Sequence, residues 1–276
     1  MRVLVLGSNG SLGGRLCEEL KRNSIKFFPQ TRSINNKYYC TFENHEKFIK
    51  LINQTKPNIV INTISNVNLL ECEKNYFKCF EDNILTSYII TKILKKKKIK
   101  QIYISTDQVY SGKGPHKEKK IDPLNNYAIS KAFSEKFVIE SGGTVLRVNF
   151  IHKSLKKKTF HDQVIFTKKK FTLFKNLYFS PLYIDTLCKI IIQNLNKFNS
   201  EIYNLGSSDK ISKKDFIQKL CKIINIKRNF NISNYNSKII KRPLDMSMNS
   251  NKINKYLKLK KYSVINEIYK LSREYK

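Results

Sequence analysis

The sequence has no CxxC pair. Its six cysteines (Cys17, Cys40, Cys72, Cys79, Cys188 and Cys221) are scattered, which fits isolated buried thiols in a reducing compartment and argues against a disulfide framework or a zinc site. Cys72 and Cys79, seven residues apart on an expected helix, read as core packing. There is no apolar run near the ~18 residues that a membrane-spanning helix requires, and the opening VLVL is too short for the core of a signal peptide. A soluble, cytoplasmic protein is the expectation. The four histidines, His45, His116, His152 and His161, lack metal-ligand spacing, so no metal site is expected. Acidic residues are scarce, 21 against 53 lysines and arginines, for a formal net charge of +32. A charge of that size raises nucleic-acid binding as a reading. The lysines run along the whole length, in KKKK at 95–98 and KKK at 156–158 and 168–170, with no recognition motif and no local basic face. Nucleic acid is therefore not the expected partner, although a positive field would help gather a small multiply charged anion.

What is present is an alternation. RVLVL, IKFFPQ, NIVINTI, KQIYIST and TVLRVNF read as strands, separated by helical stretches at 13–22, 43–55, up to the lysines at 95, and 127–140. The lysine run suits the C-terminal end of a helix dipole. Such βα alternation implies a parallel sheet with right-handed crossovers and helices on both faces, a doubly wound α/β fold. Beyond residue 150 the pattern gives way to basic, aromatic-rich pieces with helices near 183–196, 212–224 and 263–275. The expected division is a nucleotide-binding domain at 1–150, to which the helix at about 183–196 returns, and a smaller, irregular substrate lobe at 151–276. That lobe would lie over the carboxyl ends of the strands, where open α/β sheets bind ligands. The segment FTKKKFTLFKNLYF at 166–179 is read as strand and loop over that site.

Glycine is also scarce, yet four of the nine fall within residues 7–14. In GSNGSLGG, Gly7, Gly10 and Gly13 form GxxGxxG between the first strand and the first helix. Gly7 permits the tight turn, Gly10 lets backbone amides approach a pyrophosphate, and Gly13 lets the helix pack on the strand. The loop, with Asn9, Ser11 and Leu12, is thus a candidate dinucleotide cradle of Rossmann type. The second strand normally ends in an acidic residue that holds the ribose hydroxyls of NAD. Here FFPQTRS supplies Thr31, Arg32 and Ser33 instead, and a guanidinium with two hydroxyls suits a 2′-phosphate. NADP(H) is expected over NAD(H).

YAISK at 127–131 is a YxxxK at helical spacing, placing Tyr127 and Lys131 on one face. The strand that ends in Ser105, Thr106 and Asp107 precedes it. Hydride addition to a carbonyl carbon leaves charge on the oxygen, which needs a proton donor and a hydrogen bond. Tyr127 would supply the proton, and Lys131 would lower the phenol's pKa and hold the nicotinamide ribose. Thr106 would orient the oxygen, and Asp107 would contact the sugar.

With these residues in place, the chain resembles the dTDP-4-dehydrorhamnose reductase family of extended short-chain reductases through most of its length. ISTDQVYSG resembles the family's STDYVFDG and PLNNYAISKAFSE its PxNxYGxSKxxGE, while VLRVNFIHK stands where the family has ILRTSWVYG. IYNLGSSDKISKKDFIQKL resembles YHLxGxGxxSxxDFAxxI, and KRPLDMSMNSNKI the late RPxxSxLxxxKL. The resemblance implies NAD(P)H-dependent reduction of the 4-keto group of a nucleotide-linked deoxysugar, in cell-surface polysaccharide assembly. It assigns Thr106, Tyr127 and Lys131 to catalysis and the three glycines to the cofactor. Asn62, Thr63, Ile64 and Ser65 match the family's NAAA beside the cofactor, Asn83 an asparagine near the active site, and Arg242 the late arginine near the substrate.

The departures lie at the sugar. NVNLLECE replaces YTAVDKAE, and the tryptophan of TSWVY becomes Phe150, with Asn149 and His152 beside it. The sugar and base stay open, and the family's magnesium-linked dimer is not carried over, although a homodimer remains an open expectation. A dehydratase is disfavoured because Gln108, after the aspartate, cannot ionise to abstract a proton. A nucleotide-sugar 4-epimerase and a non-catalytic NADP-binding regulatory subunit of the same fold are the alternatives. Arg32 argues against the first, and retention of Thr106, Tyr127 and Lys131 against the second.

Overall fold

A computed structural model describes residues 1–42, 45–154, 159–167, 169–236 and 240–276. The start of the helix expected at 43–55, the KKK run at 156–158 and Lys168 lie outside the described residues. The first half builds β1 (Arg2–Leu6), α1 (Ser11–Arg22), β2 (Lys26–Gln30), α2 (His45–Thr55) and β3 (Ile59–Asn62). It continues with α3 (Leu69–Lys74), α4 (Tyr76–Cys79), a π-helical turn at Phe80–Leu85, α5 (Thr86–Lys96), β4 (Lys100–Thr106), α6 (Asn126–Glu140) and β5 (Thr144–Val148). The strands match those expected from the apolar runs.

Six strands form one all-parallel sheet, ordered β10-β5-β4-β3-β1-β2, with β10 at Ile202–Leu205. The order reverses beside β1, and ligands of doubly wound folds bind at such a switch point. Alternation along β1 explains why both faces are covered. Val3 and Val5 enter the core under α1, while Leu4 and Leu6 enter a second core with Phe48 and Ile90. Each such side chain, removed entirely from water, contributes roughly 1.5–3 kcal/mol. Pro29 has no N–H to donate, and it sits on β2, the strand at the sheet edge where a missing donor costs least.

Past β5 come β6 (Phe150–Ile151), α7 (Phe160–Phe166), β7 (Thr172–Phe174), β8 (Tyr178–Phe179), β9 (Leu182–Tyr183) and α8 (Ile184–Gln193). After β10 follow β11 (Ile211–Ser212), α9 (Lys213–Ile223), β12 (Asn231–Ser233), α10 (Asn251–Leu257) and α11 (Val264–Ser272). The strand-and-loop expectation for 166–179 corresponds to β7 and β8. Despite its place beyond residue 150, α8 packs on α1 of the first half. The sheet also recruits β10 from beyond residue 150, which the local pattern did not reveal.

The cysteine expectation needs correction. Cys72 and Cys79 form a disulfide between α3 and α4, with Cα atoms 5.0 Å apart. Continuous helix would have held them at fixed spacing, but the chain breaks at Asn75, which ends α3 and caps α4. The break folds one cysteine back on the other. Cys17, Cys40, Cys188 and Cys221 are free, the last three buried.

Candidate active site

The glycine loop does its work through backbone. Gly7 takes φ +82°, and a Cβ there would meet the Thr63 hydroxyl at 2.8 Å. A Cβ on Gly13 would overlap the carbonyl oxygen of Gly7, so α1 can start this close to the loop only without a side chain. Gly10 caps α1 with no side-chain hydrogen bond, leaving the first-turn amides to an external acceptor. Ser11 and Leu12 open that turn. The Leu12 side chain is buried in the core, so at Leu12, as at Gly13, only backbone is left to face the loop.

A cleft of about 830 Å³ opens beside the loop, lined by Gly7, Asn9, Gly10, Arg32, Thr63, Ile64 and Ser65 among others. Its β2 wall is pinned by Gln30, whose Oε1 accepts from Gly7 N–H at 3.0 Å and whose Nε2 donates to the Cys40 carbonyl at 2.7 Å. Asn9 Nδ2 donates to Thr31 Oγ1, and the exposed Arg32 and Ser33 follow on the cleft's rim. The opposite wall hangs on Asn83. Its Oδ1 accepts from Ser65 Oγ at 3.0 Å and Asn66 N–H at 2.7 Å, and its Nδ2 donates to Ser130 Oγ at 2.9 Å. The π-helical turn that carries Asn83 is the local irregularity that aims it at both the loop and α6.

Thr106 and Tyr127 are brought together at the end of β4 and the start of α6. Asn125 caps α6 by accepting from Ala128 N–H at 2.9 Å, which sets Tyr127 in the first turn. Tyr127 is 7% exposed, and its hydroxyl lies near enough to those of Thr106 and Ser65 for both to favour its ionised form. Asp107, 2% exposed, accepts from Asn149 Nδ2 at 2.5 Å. Burial pushes its carboxyl up to about 6, against the pull of Asn149 and Lys213. Phe150 lies on β6 with its ring 5.5 Å from that of His152. Arg242 reaches the same end of the molecule because Asn125 Nδ2 donates to the preceding carbonyl, Lys241 O, at 3.0 Å. One cap therefore sets both Tyr127 and the arginine segment.

Lys131 differs from expectation. Its Nζ donates to Ile104 O at 2.8 Å and lies 4.0 Å from the centroid of the Tyr103 ring. Among the described residues no hydrogen bond joins it to Tyr127. Burial lowers the Lys131 ammonium to about 7 and raises the Tyr127 phenol to about 12. Removal from water is the largest influence on the phenol, and Lys131 is not among the groups that act on it.

Sequence reasoning missed the structural role of Gln30, the buried Glu135–Arg147 pair behind Thr106, and Lys213. A signal for the last existed. Ser212-x-x-Asp215 is a helix-start pattern, and Ser212 does cap α9 by accepting from Asp215 N–H at 3.0 Å, so Lys213 falls at the helix's first position.

A switch-point cleft with a glycine-lined cradle, beside a buried Thr–Tyr–Lys set on β4 and α6, defines an extended short-chain dehydrogenase/reductase. The chain belongs to the family described as the RmlD substrate binding domain, whose model matches residues 1–274. It is 25% identical over 221 residues, 75% of this chain and 74% of the other, to the spore coat polysaccharide biosynthesis protein SpsK of Bacillus subtilis. Among solved structures it is similar to a dTDP-4-dehydrorhamnose reductase from Bacillus anthracis in complex with NADP, with TM-score 0.88, 21% identity and 99% of each chain covered. It is similar too to a hypothetical dTDP-4-dehydrorhamnose reductase from Sulfolobus tokodaii, with TM-score 0.84 and 25% identity over 97% of this chain and 99% of that one.

Proposed function

We propose that this protein is a cytoplasmic NADPH-dependent reductase of the 4-keto group of a nucleotide-linked deoxysugar, acting in cell-surface polysaccharide biosynthesis. The observation that carries the reading is Tyr127, buried at the start of α6 with its hydroxyl near that of Thr106 at the end of β4. The SpsK likeness supports the polysaccharide setting, and the NADP-bound B. anthracis structure supports the cofactor. Residues 1–150 with α8 hold the cofactor in this reading, and residues 151–276 mainly hold the sugar nucleotide.

The cleft fits NADP(H), because the glycine cradle leaves amides free for a pyrophosphate and Arg32 and Ser33 stand where a 2′-phosphate needs donors. NADPH, when bound, supplies the hydride for the carbonyl carbon. Thr106 donates a hydrogen bond to the substrate oxygen, and Tyr127 gives that oxygen its proton. A phenol raised to about 12 holds its proton at neutral pH, as an acid for reduction must. Lys131 anchors α6 to β4 through Ile104 O and is the candidate donor to the ribose. Asp107 and Asn149 position the sugar.

The test is NADPH consumption with a panel of nucleotide 4-ketosugars. Stoichiometric oxidation with one of them is expected. Failure of every ketosugar in the panel, or epimerisation without net NADPH loss, would overturn the assignment. A second expectation concerns the cofactor. Arg32→Ala should raise the KM for NADPH about tenfold, the scale of one charge-assisted contact, and leave the KM for NADH nearly unchanged. Equal effects on both would remove Arg32 from 2′-phosphate recognition.

A further inference from the structure

Among the described residues the buried lysine and arginine have acceptors, whereas two half-buried cations at one place keep donors without them. Lys131 donates to Ile104 O and Arg147 to Glu135. Lys213 has no hydrogen-bond acceptor or ion-pair partner for its Nζ among the described residues. Its stem rises from the first position of α9, held by Lys213 N–H donating to Leu177 O at 2.8 Å, and its Nζ lies 3.3 Å from the centroid of the buried Phe179 ring. The charges it feels are Asp107, which favours its ammonium, and Arg242, which opposes it. Burial lowers it to about 8. Arg242 in turn has a buried Nε with no hydrogen-bond partner among the described residues.

Two neighbouring cations with unused donors, and one carboxylate near Lys213, leave a local excess of positive charge in a poorly solvated place. Such an arrangement is costly unless an anion joins it. Asp107 follows Thr106 directly in sequence, so the excess lies at the reacting end of the site. We propose that Lys213, together with Arg242, is a specificity-determining residue that takes an oxyanion of the substrate beside Asp107. The inference rests on reading the site as one for a nucleotide sugar. A phosphate oxygen of the diphosphate and a carboxylate on the sugar ring offer the same chemistry, acceptor oxygens with net negative charge, and the experiment separates them.

Calorimetric titration of the NADP-saturated protein with UDP, dTDP, UDP-glucose and UDP-glucuronate is the test. Lys213→Met is expected to weaken binding about tenfold or more, the effect of losing a charged hydrogen bond, and Lys213→Arg to restore most of it. Equal weakening for every nucleotide that binds identifies the diphosphate as the anion. Weakening confined to UDP-glucuronate identifies a ring carboxylate. In either case affinity should fall with added salt more steeply for the native chain than for Lys213→Met, a readout that a merely structural lysine would not move. Native-like affinity of Lys213→Met for all four ligands overturns the proposal, as does failure of the native chain to bind any of them. Lys213→Gln serves as the second variant where methionine disturbs folding. NADPH affinity, titrated separately, reports on the cofactor assignment, so the two readings fail independently.

Discussion

Replacing Tyr127 by phenylalanine is expected to lower kcat by about 10²–10⁴-fold, the usual contribution of a positioned general acid, while leaving the fold and NADPH affinity close to native. The ring stays and only the hydroxyl goes. The two hydroxyls near it have hydrogen bonds of their own, because Ser65 Oγ donates to Asn83 Oδ1 at 3.0 Å and Thr106 Oγ1 accepts from Gln108 N–H at 3.2 Å. No buried group is orphaned, so the stability change should stay within about 1 kcal/mol. Steady-state rates with the best ketosugar, alongside thermal melts with and without NADPH, check both halves. Full activity in the variant would transfer the proton to another group, with water held by Thr106 the first candidate.

The largest stability effect is expected at Arg147, 1% exposed on β5, which faces Glu135, 2% exposed on α6. The guanidinium makes three bonds to that carboxylate, Nη2 to Oε2 at 2.6 Å and Nε to Oε1 and Oε2 at 3.0 and 3.1 Å. It also donates to Tyr110 Oη at 2.7 Å and Glu118 O at 2.8 Å, while Ser105 Oγ donates to Glu135 at 2.5 Å. Tyr110 passes the link to β10 by donating to Asn204 Oδ1 at 2.6 Å. The network ties β4, β5, β10 and α6 together directly behind Thr106. Arg147→Met strips the countercharge from a buried carboxylate and should cost about 3–5 kcal/mol, a large share of the ~5–15 kcal/mol that holds a typical domain. Changing Glu135 to Gln as well should return part of the loss, since no buried charge is then left alone. Denaturant unfolding of the two single variants and the double variant measures it. A cost below about 1 kcal/mol for Arg147→Met would show that the pair is solvated or replaceable.

Much of this molecule could be read in order along the chain. Val3–Leu6 and Ile59–Asn62 declare buried parallel strands through unbroken apolar runs, and the glycines of the first βα turn declare close backbone packing. Tyr127 and Lys131 fall on one helical face by spacing alone. These are local properties, set by φ, ψ and side-chain period, and the structure places them as the pattern implies. The residues beside the sugar end were legible only in part. Arg242 could be named, yet the Asn125 bond that delivers its segment to α6 joins residues far apart in sequence.

The amino-acid sequence by itself determined the strand and helix succession, the glycine cradle and the identity of the candidate acid. Only the tertiary structure decided that Cys72 meets Cys79 across a break at Asn75, that β10 closes the sheet beside β5, and that Lys213 comes to face Asp107. It also decided that Lys131 turns to Ile104 O, leaving burial to govern the Tyr127 phenol. The physical reason is the same in each case. Those outcomes depend on pairings between distant segments and on how far water is excluded around them, and neither quantity is carried by any short stretch of chain.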